Sequence, residues 1–179
     1  AAGFPTGKTF DTWDESVSSI PVPTQHALRT LEWIGRKENV VVCGPSGTGK
    51  TFFPEALGQQ VVESRMRVPG FRLEHLGTLV RAHRSADTVG RVVAWILRAD
   101  LIVVDDAGLL EVAADAAYEK RSIAVSSNLH PAGFESLIPE NPATATVDRL
   151  LAHAQVGQTS GDSIRLTRAL AVKGVTAMN

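Results

Sequence analysis

Gly44-Pro45-Ser46-Gly47-Thr48-Gly49-Lys50-Thr51 is the stretch on which the reading of this sequence turns. It fits G-x-x-x-x-G-K-[ST] at every fixed position, and its flanks supply the context that the pattern needs. Upstream, Asn39 to Cys43 is a short β-branched run that stops at Gly44, as a buried strand does when it feeds a glycine turn. Downstream, a helix is expected to begin at Gly49. The chemistry accounts for the residue types. Glycines let successive backbone N–H groups turn inward as an anion nest, and the helix N-terminus adds partial positive charge. Lys50 would reach the β and γ phosphates of a nucleotide, and the Thr51 hydroxyl would bind Mg²⁺. Gly44, Pro45, Ser46, Gly47, Thr48, Gly49, Lys50, Thr51 and Phe52 are therefore the expected nucleotide-contacting residues. Pro54 lacks the N–H that would bond the carbonyl of Lys50, so a local distortion is expected at the end of the first turn.

Thr6-Gly7-Lys8-Thr9 provides an internal control. It repeats the letters Gly-Lys-Thr with no strand before it and no glycine five residues upstream, so it reads as an ordinary loop. Cys43, the chain's one cysteine, closes the strand entering the true phosphate loop and reads as a small core residue. A single cysteine excludes a disulfide framework and favours a reducing compartment. The five histidines show no paired metal spacing, which argues against a zinc site.

Leu101-Ile102-Val103-Val104-Asp105-Asp106 is four apolar residues ending in two carboxylates, the form of a central strand that delivers acids to the mouth of a phosphate loop. Asp105 would hold Mg²⁺ through water, and Asp106 would orient or deprotonate the attacking water. The next strand, Ser122 to Ser127, ends at Asn128, whose amide is placed to sense a γ-phosphate. Around these strands, Ala27, Leu28, Leu31 and Ile34 recur at helical spacing behind Thr24 as cap. Leu73, Leu76 and Val80 mark a further helix. Val89, Val92, Val93, Ile96 and Leu97 mark another, and Val112 to Lys120 a short one. Met66 to Phe71 has strand character interrupted by Pro69-Gly70, which fits only an edge position. Strands alternating with helices imply parallel βαβ units. The expectation is an α/β P-loop NTPase of AAA+ type: three layers, α/β/α, around a mostly parallel five-stranded sheet. Residues 1–23, with Pro5, Pro21 and Pro23 and no helical period, read as an extended arm, and residues 24–179 as a single ATPase core.

A chain of 179 residues, 44% hydrophobic and 21% charged, has enough apolar material for one sizeable core. Its uncharged apolar runs are far shorter than a bilayer span needs, so no membrane segment is expected. The formal net charge of −1 conceals an uneven distribution. Residues 61–98 hold seven arginines against three acids, residues 100–162 hold ten acids against three bases, and the last seventeen residues hold Arg165, Arg168 and Lys173 with no acid. The basic block is a candidate surface for a polyanion.

With these residues in view, the chain resembles the IstB/DnaC-like AAA+ ATPases, and among them the IstB-type helper proteins of bacterial insertion-sequence transposition. The resemblance is carried by Phe4-Pro5 to Phe10, Asn39 to Thr51 with Glu55-Ala56-Leu57-Gly58, Ala99 to Leu110, Tyr118 to Phe134, Thr144 to Leu151 and Gly161-Asp162-Ser163-Ile164-Arg165. The Ser-Ser-Asn and Asp-Arg-Leu-Leu signatures narrow it beyond a generic phosphate-loop protein. It implies a cytoplasmic bacterial ATPase that uses ATP and Mg²⁺, forms a homo-oligomer, binds double-stranded DNA and helps a transposase choose or engage its target. By position, Lys50 and Thr51 stand as Walker A, Asp105 and Asp106 as Walker B and Asn128 as sensor 1. Arg149 stands as an arginine finger offered in trans to a neighbour's ATP. Asp106 occupies a position where most AAA+ proteins carry Glu, so its carboxylate reaches one methylene less far and slow hydrolysis is expected. Twenty-two residues separate Asp105 from Asn128, fewer than the family pattern implies. The residues after Arg149 are too few for a full C-terminal helical lid, and the helical region that precedes Phe4 in the family does not appear.

A DnaC-like helicase loader is the alternative within the same class. Outside it stand a small-molecule phosphotransferase and an inactive nucleotide-binding remnant. A GTPase is disfavoured because no Asn-Lys-x-Asp tetrapeptide occurs.

Overall fold

A computed structural model of the chain describes residues 7–68, 70–72, 94, 97–105, 121–128, 150–161, 163 and 164. Its centre is a sheet of five parallel strands: β1 (Asn39–Cys43), β2 (Gly70–Arg72), β3 (Leu101–Asp105), β4 (Ser122–Ser127) and β5 (Ala154–Gln158), ordered β2-β3-β4-β1-β5. A parallel strand is covered on both faces and so carries an unbroken apolar run instead of an alternating one. Val40, Val41, Val42 and Cys43 are all buried, as are Leu101 to Val104 and all six residues of β4. β1, β3 and β4 therefore occupy the spans expected from the sequence, and the mostly parallel α/β sheet is borne out.

The described helices pack on one face of this sheet. Phe53, Leu57 and Val61 of α3 (Phe52–Glu63) join Leu28 of α1 (Val22–Arg29) and Trp33 and Ile34 of α2 (Glu32–Gly35). Together they cover Val40, Val42, Leu101, Val103 and Ala124, side chains that share a face because strand residues alternate sides. At the other end of the strands, the buried Asn39 links three elements. Its N–H donates to His153 O, its Nδ2 to Leu150 O at 3.0 Å, and its Oδ1 accepts the Ile123 N–H at 3.0 Å.

Four local expectations need correction. The single helix behind Thr24 is two helices: α1 starts at Val22, with Pro23 in its first turn, and the chain breaks at Leu31, whose φ is +62°. The break turns Trp33 into the core beside Leu28, Leu31 and Ile34, whereas a continuous helix would leave it on another face. The second helix begins at Phe52 and not at Gly49, although Phe53 N–H already donates to Gly49 O. Pro54 causes no break, because it falls in the first turn, where a missing N–H is tolerated. Residues 7–20 are not an extended arm. They form two 3₁₀ turns, Phe10–Thr12 and Glu15–Val17, and Phe10 and Trp13 pack against the core cluster. The strand between Met66 and Phe71 is the short β2, at the sheet edge that Pro69-Gly70 required. The helices expected over Leu73–Val80, Val89–Leu97 and Val112–Lys120 lie outside the described residues or nearly so.

Candidate functional site

In open parallel sheets, ligands bind beyond the carboxyl ends of the strands. Here that edge gathers most of the residues singled out in the sequence. Cys43 pairs with Ser127, and Val42 pairs with Ser126, which pairs in turn with Asp105 on its other side. The phosphate loop thus leaves β1 at the same level at which β4 ends at Asn128 and β3 ends at Asp105. Asp105 lies two strands from β1, roughly 10 Å at ordinary strand spacing.

The loop is tied to this edge by specific bonds. Gly44 N–H donates to Ser127 O at 3.1 Å, and the Ser46 hydroxyl donates to Asn128 Oδ1 at 3.3 Å. Asn128 is therefore in contact with the phosphate loop. Gly47 and Gly49 have φ of +90° and +88°, a region that side chains resist, and Pro45 and Ser46 at the loop tip are exposed. Thr51 caps α3, and Phe52 opens it with its ring 5.2 Å from that of Trp13.

Lys50 carries the strongest chemical signal. It is only 7% exposed, and among the described residues it has no hydrogen bond or ion pair. A largely buried lysine without a counter-charge is costly, and a phosphate group is the chemistry that would offset it. The glycine cradle and this lysine fit a nucleotide's phosphates. Thr51 follows Lys50 at the head of α3 and Asp105 closes β3, and no group of three or more potential metal ligands occurs among the described residues. Asp106 and Arg149 lie outside the described residues. Cys43, beneath the loop, is fully buried, and burial pushes its thiol up to about 11. It is a core residue, as expected.

Sequence reasoning missed the walls of the site. Trp13 lies over the loop: a Cβ on Gly49 would stand 3.1 Å from its Cη2. The indole is fixed by rings 5.2 and 5.5 Å away on Phe52 and Phe53, and by Nε1–H donating to Gln25 Oε1 at 2.7 Å. One of three aromatics scattered through a proline-bearing arm, it gave no signal of this. Lys8, in the control Gly-Lys-Thr, pairs with the buried Glu55 of α3 at 2.6 Å. On the far side, Thr159, Ser163 and Ile164 press against Gly44, Gly47 and Gly49. Only the resemblance marked the Ser163-Ile164 stretch, and it assigned no role.

Comparison with known proteins agrees with this geometry. An ATP-binding protein of insertion sequence IS21 from Pseudomonas aeruginosa is 31% identical over 178 residues, covering 92% of this chain and 67% of its own. The structure of AMPPCP-bound DnaA from Aquifex aeolicus superposes with a TM-score of 0.73 at 17% identity, over 99% of this chain and 58% of that one. The DnaC helicase loader does so with a TM-score of 0.64 at 14% identity, over 86% of this chain and 97% of that one. At these identities the two structures establish the fold, which is that of an AAA+ P-loop protein. The chain spans about two thirds of the IS21 relative's length. The model of the IstB-like ATP-binding proteins matches residues 1–171, so a phosphate loop on this sheet, in this sequence, places the chain in that family.

Proposed function

We propose that the protein binds and hydrolyses ATP as an AAA+ switch that assembles on double-stranded DNA and helps a transposase engage its target during insertion-sequence transposition. The observation that carries this reading is the convergence of the phosphate loop, Asp105 and Asn128 on one sheet edge in a chain of the IstB-like family. The kinship with a protein of insertion sequence IS21 favours a transposase over a helicase as partner.

Each residue then has a task. Lys50 neutralises the terminal phosphates, and the loop amides cradle them. Thr51 and Asp105 would hold Mg²⁺, whose positive charge would offset the charge developing on the phosphates. Asp106 accepts the proton of the attacking water. Asn128, restrained by Ser46, reports the presence of the γ-phosphate to the loop. Arg149, presented to a neighbouring subunit, stabilises the transferring phosphoryl group, which makes hydrolysis depend on assembly. No described helix is long and apolar enough to cross a membrane. We place the protein in the bacterial cytoplasm, where ATP and DNA are both available.

The test measures ATP turnover and particle mass with and without duplex DNA. The expected result is ATP-dependent assembly, turnover stimulated by DNA, and DNA affinity that falls steeply with salt because phosphate contacts release counterions. Arg149→Ala should retain ATP binding and lose hydrolysis. Turnover indifferent to DNA, with a phosphorylated small product, would replace this reading with a phosphotransferase.

A further inference from the structure

The phosphate loop is gripped from behind by a segment that phosphate chemistry alone does not call for. Thr159, the first residue after β5, is 1% exposed. Its N–H donates to Cys43 O at 2.6 Å, and its hydroxyl oxygen lies 2.6 Å from that of Thr48 and 3.1 Å from Cys43 O. The Thr48 hydroxyl lies 2.8 Å from Pro45 O, as its donor. Two hydroxyl protons must serve these contacts. The shorter contacts are both made when Thr159 donates to Thr48 and Thr48 to Pro45 O; Cys43 O then keeps the Thr159 N–H, and the 3.1 Å hydroxyl contact to it is the one given up. Five residues further on, Ile164 N–H donates to Gly47 O at 3.0 Å.

The consequence follows from peptide geometry. All described peptide bonds are trans, so the carbonyl of one residue and the N–H of the next point in opposite directions. The strand end shows the effect: Cys43 O faces Thr159, and Gly44 N–H faces Ser127 O on the other side. By the same rule, tying Gly47 O to Ile164, and Pro45 O to the Thr48 hydroxyl that Thr159 holds, turns the N–H groups of Thr48 and Ser46 away from those contacts. The loop is also kept close, since a Cβ on Gly44 would collide with Thr159 and one on Gly47 with Ser163.

We infer that Thr159, acting through Thr48 and supported by the Ile164 N–H, is a positioning residue that sets the loop's amides for a nucleotide's phosphates before the nucleotide arrives. This rests on the reading of the loop as an ATP site. Its benefit is pre-organisation: the loop's ordering is complete before binding and does not weaken affinity.

The experiment uses the whole chain and compares wild type with Thr159→Val, Thr159→Ser, Thr48→Val and the double variant Thr48→Val/Thr159→Val. In nucleotide-free protein, hydrogen exchange of amides 44–51 should rise about tenfold in Thr159→Val, while β1 and β4 stay protected. ATP affinity should fall about tenfold, the scale of one buried hydrogen bond. Thr159→Ser should remain within about twofold of wild type, and the losses of the two valine variants should not add in the double variant. Unchanged loop exchange in a folded Thr159→Val protein, or additive losses, would overturn the inference. If Thr159→Val does not fold, Thr48→Val reads the same bond from the loop side by exchange, and unaltered exchange there overturns it equally. Absence of ATP binding by the wild type would defeat the ATP reading, whereas the exchange measurement would still decide the clamp.

Discussion

Gly7-Lys8-Thr9 and Gly49-Lys50-Thr51 spell the same three residues and end in different chemistry. Lys8 lies in an exposed turn with its side chain 29% accessible and its ammonium 2.6 Å from the buried carboxylate of Glu55. Lys50 is buried and has no partner among the described residues. The first lysine is satisfied within the fold, and the second awaits a charge from outside it. The second owes its setting to the strand in front of it. β1 delivers Gly44 to the edge of a parallel sheet, where β4 and the segment after β5 hold the loop open. The shared letters therefore matter less than what surrounds them. Glu55, which Lys8 pairs with, sits in the first turn of the helix that Lys50 leads into.

Exchanging each lysine for alanine is the strongest way to break this contrast. Lys50→Ala should weaken ATP binding on the order of 100-fold or more, since it removes a charge-assisted contact to phosphate. The same change relieves a buried charge, so its melting temperature should not fall. Lys8→Ala should do the reverse. It removes the Lys8 ammonium from the buried Glu55 carboxylate, costing about 1–3 kcal/mol of stability, reduced from a fully buried pair by the exposure of Lys8. ATP affinity should remain within about threefold by titration calorimetry. A Lys8→Ala protein that loses ATP binding as fully as Lys50→Ala would erase the distinction.

The glycines sharpen the comparison at a smaller scale. Gly7 and Gly47 both have positive φ, +108° and +90°. A Cβ on Gly7 meets nothing within 4 Å, whereas one on Gly47 meets Ser163. Gly7→Ala should cost only backbone strain, about 1–2 kcal/mol in urea unfolding, and leave ATP affinity intact. Gly47→Ala carries the same strain plus a collision in the loop, so stability and ATP affinity should fall together. Equal effects of the two substitutions on ATP affinity would show that the wall behind the loop has no bearing on binding.

How far the sequence could be read follows the same division between interior and edge. β1, β3 and β4 were legible to the residue because a strand buried on both faces is a continuous apolar run. β5 was not read at all. It is an edge strand carrying Gln155 and Gln158, with Val156 49% exposed, and such a pattern is indistinguishable from a loop. Missing β5 concealed everything that depends on it, including Thr159. The phosphate loop was legible because its glycines and lysine are dictated by a ligand. Trp13 was not, because its position over Gly49 depends on how the N-terminal turns fold back, and that is decided by packing with Phe52, Phe53 and Gln25. The break at Leu31 was hidden for a related reason. Burial of Trp33 and Ile34 together outweighed the preference for a continuous helix.

The smallest effect tests the strand that makes the two loops different. Cys43 closes β1 directly beneath the phosphate loop, and burial raises its thiol to about 11 from an ordinary value of 9.0. Below pH 9 the thiol is protonated in both folded and unfolded chains, so it contributes no pH dependence. Between pH 9 and about 11 the unfolded chain has released this proton while the folded chain retains it, so stability falls as pH rises through that window. By pH 10 the loss from this one group is about 1 kcal/mol. Other titrating groups contribute too, but they are common to a Cys43→Ala variant, so the difference between the two unfolding profiles isolates the thiol. Wild type should lose stability more steeply than Cys43→Ala from pH 9 to 11, whatever their offset at pH 7. Parallel profiles would mean that the thiol is open to water, and with it the end of the strand that seats Gly44 and turns one Gly-Lys-Thr, and not the other, into a phosphate site.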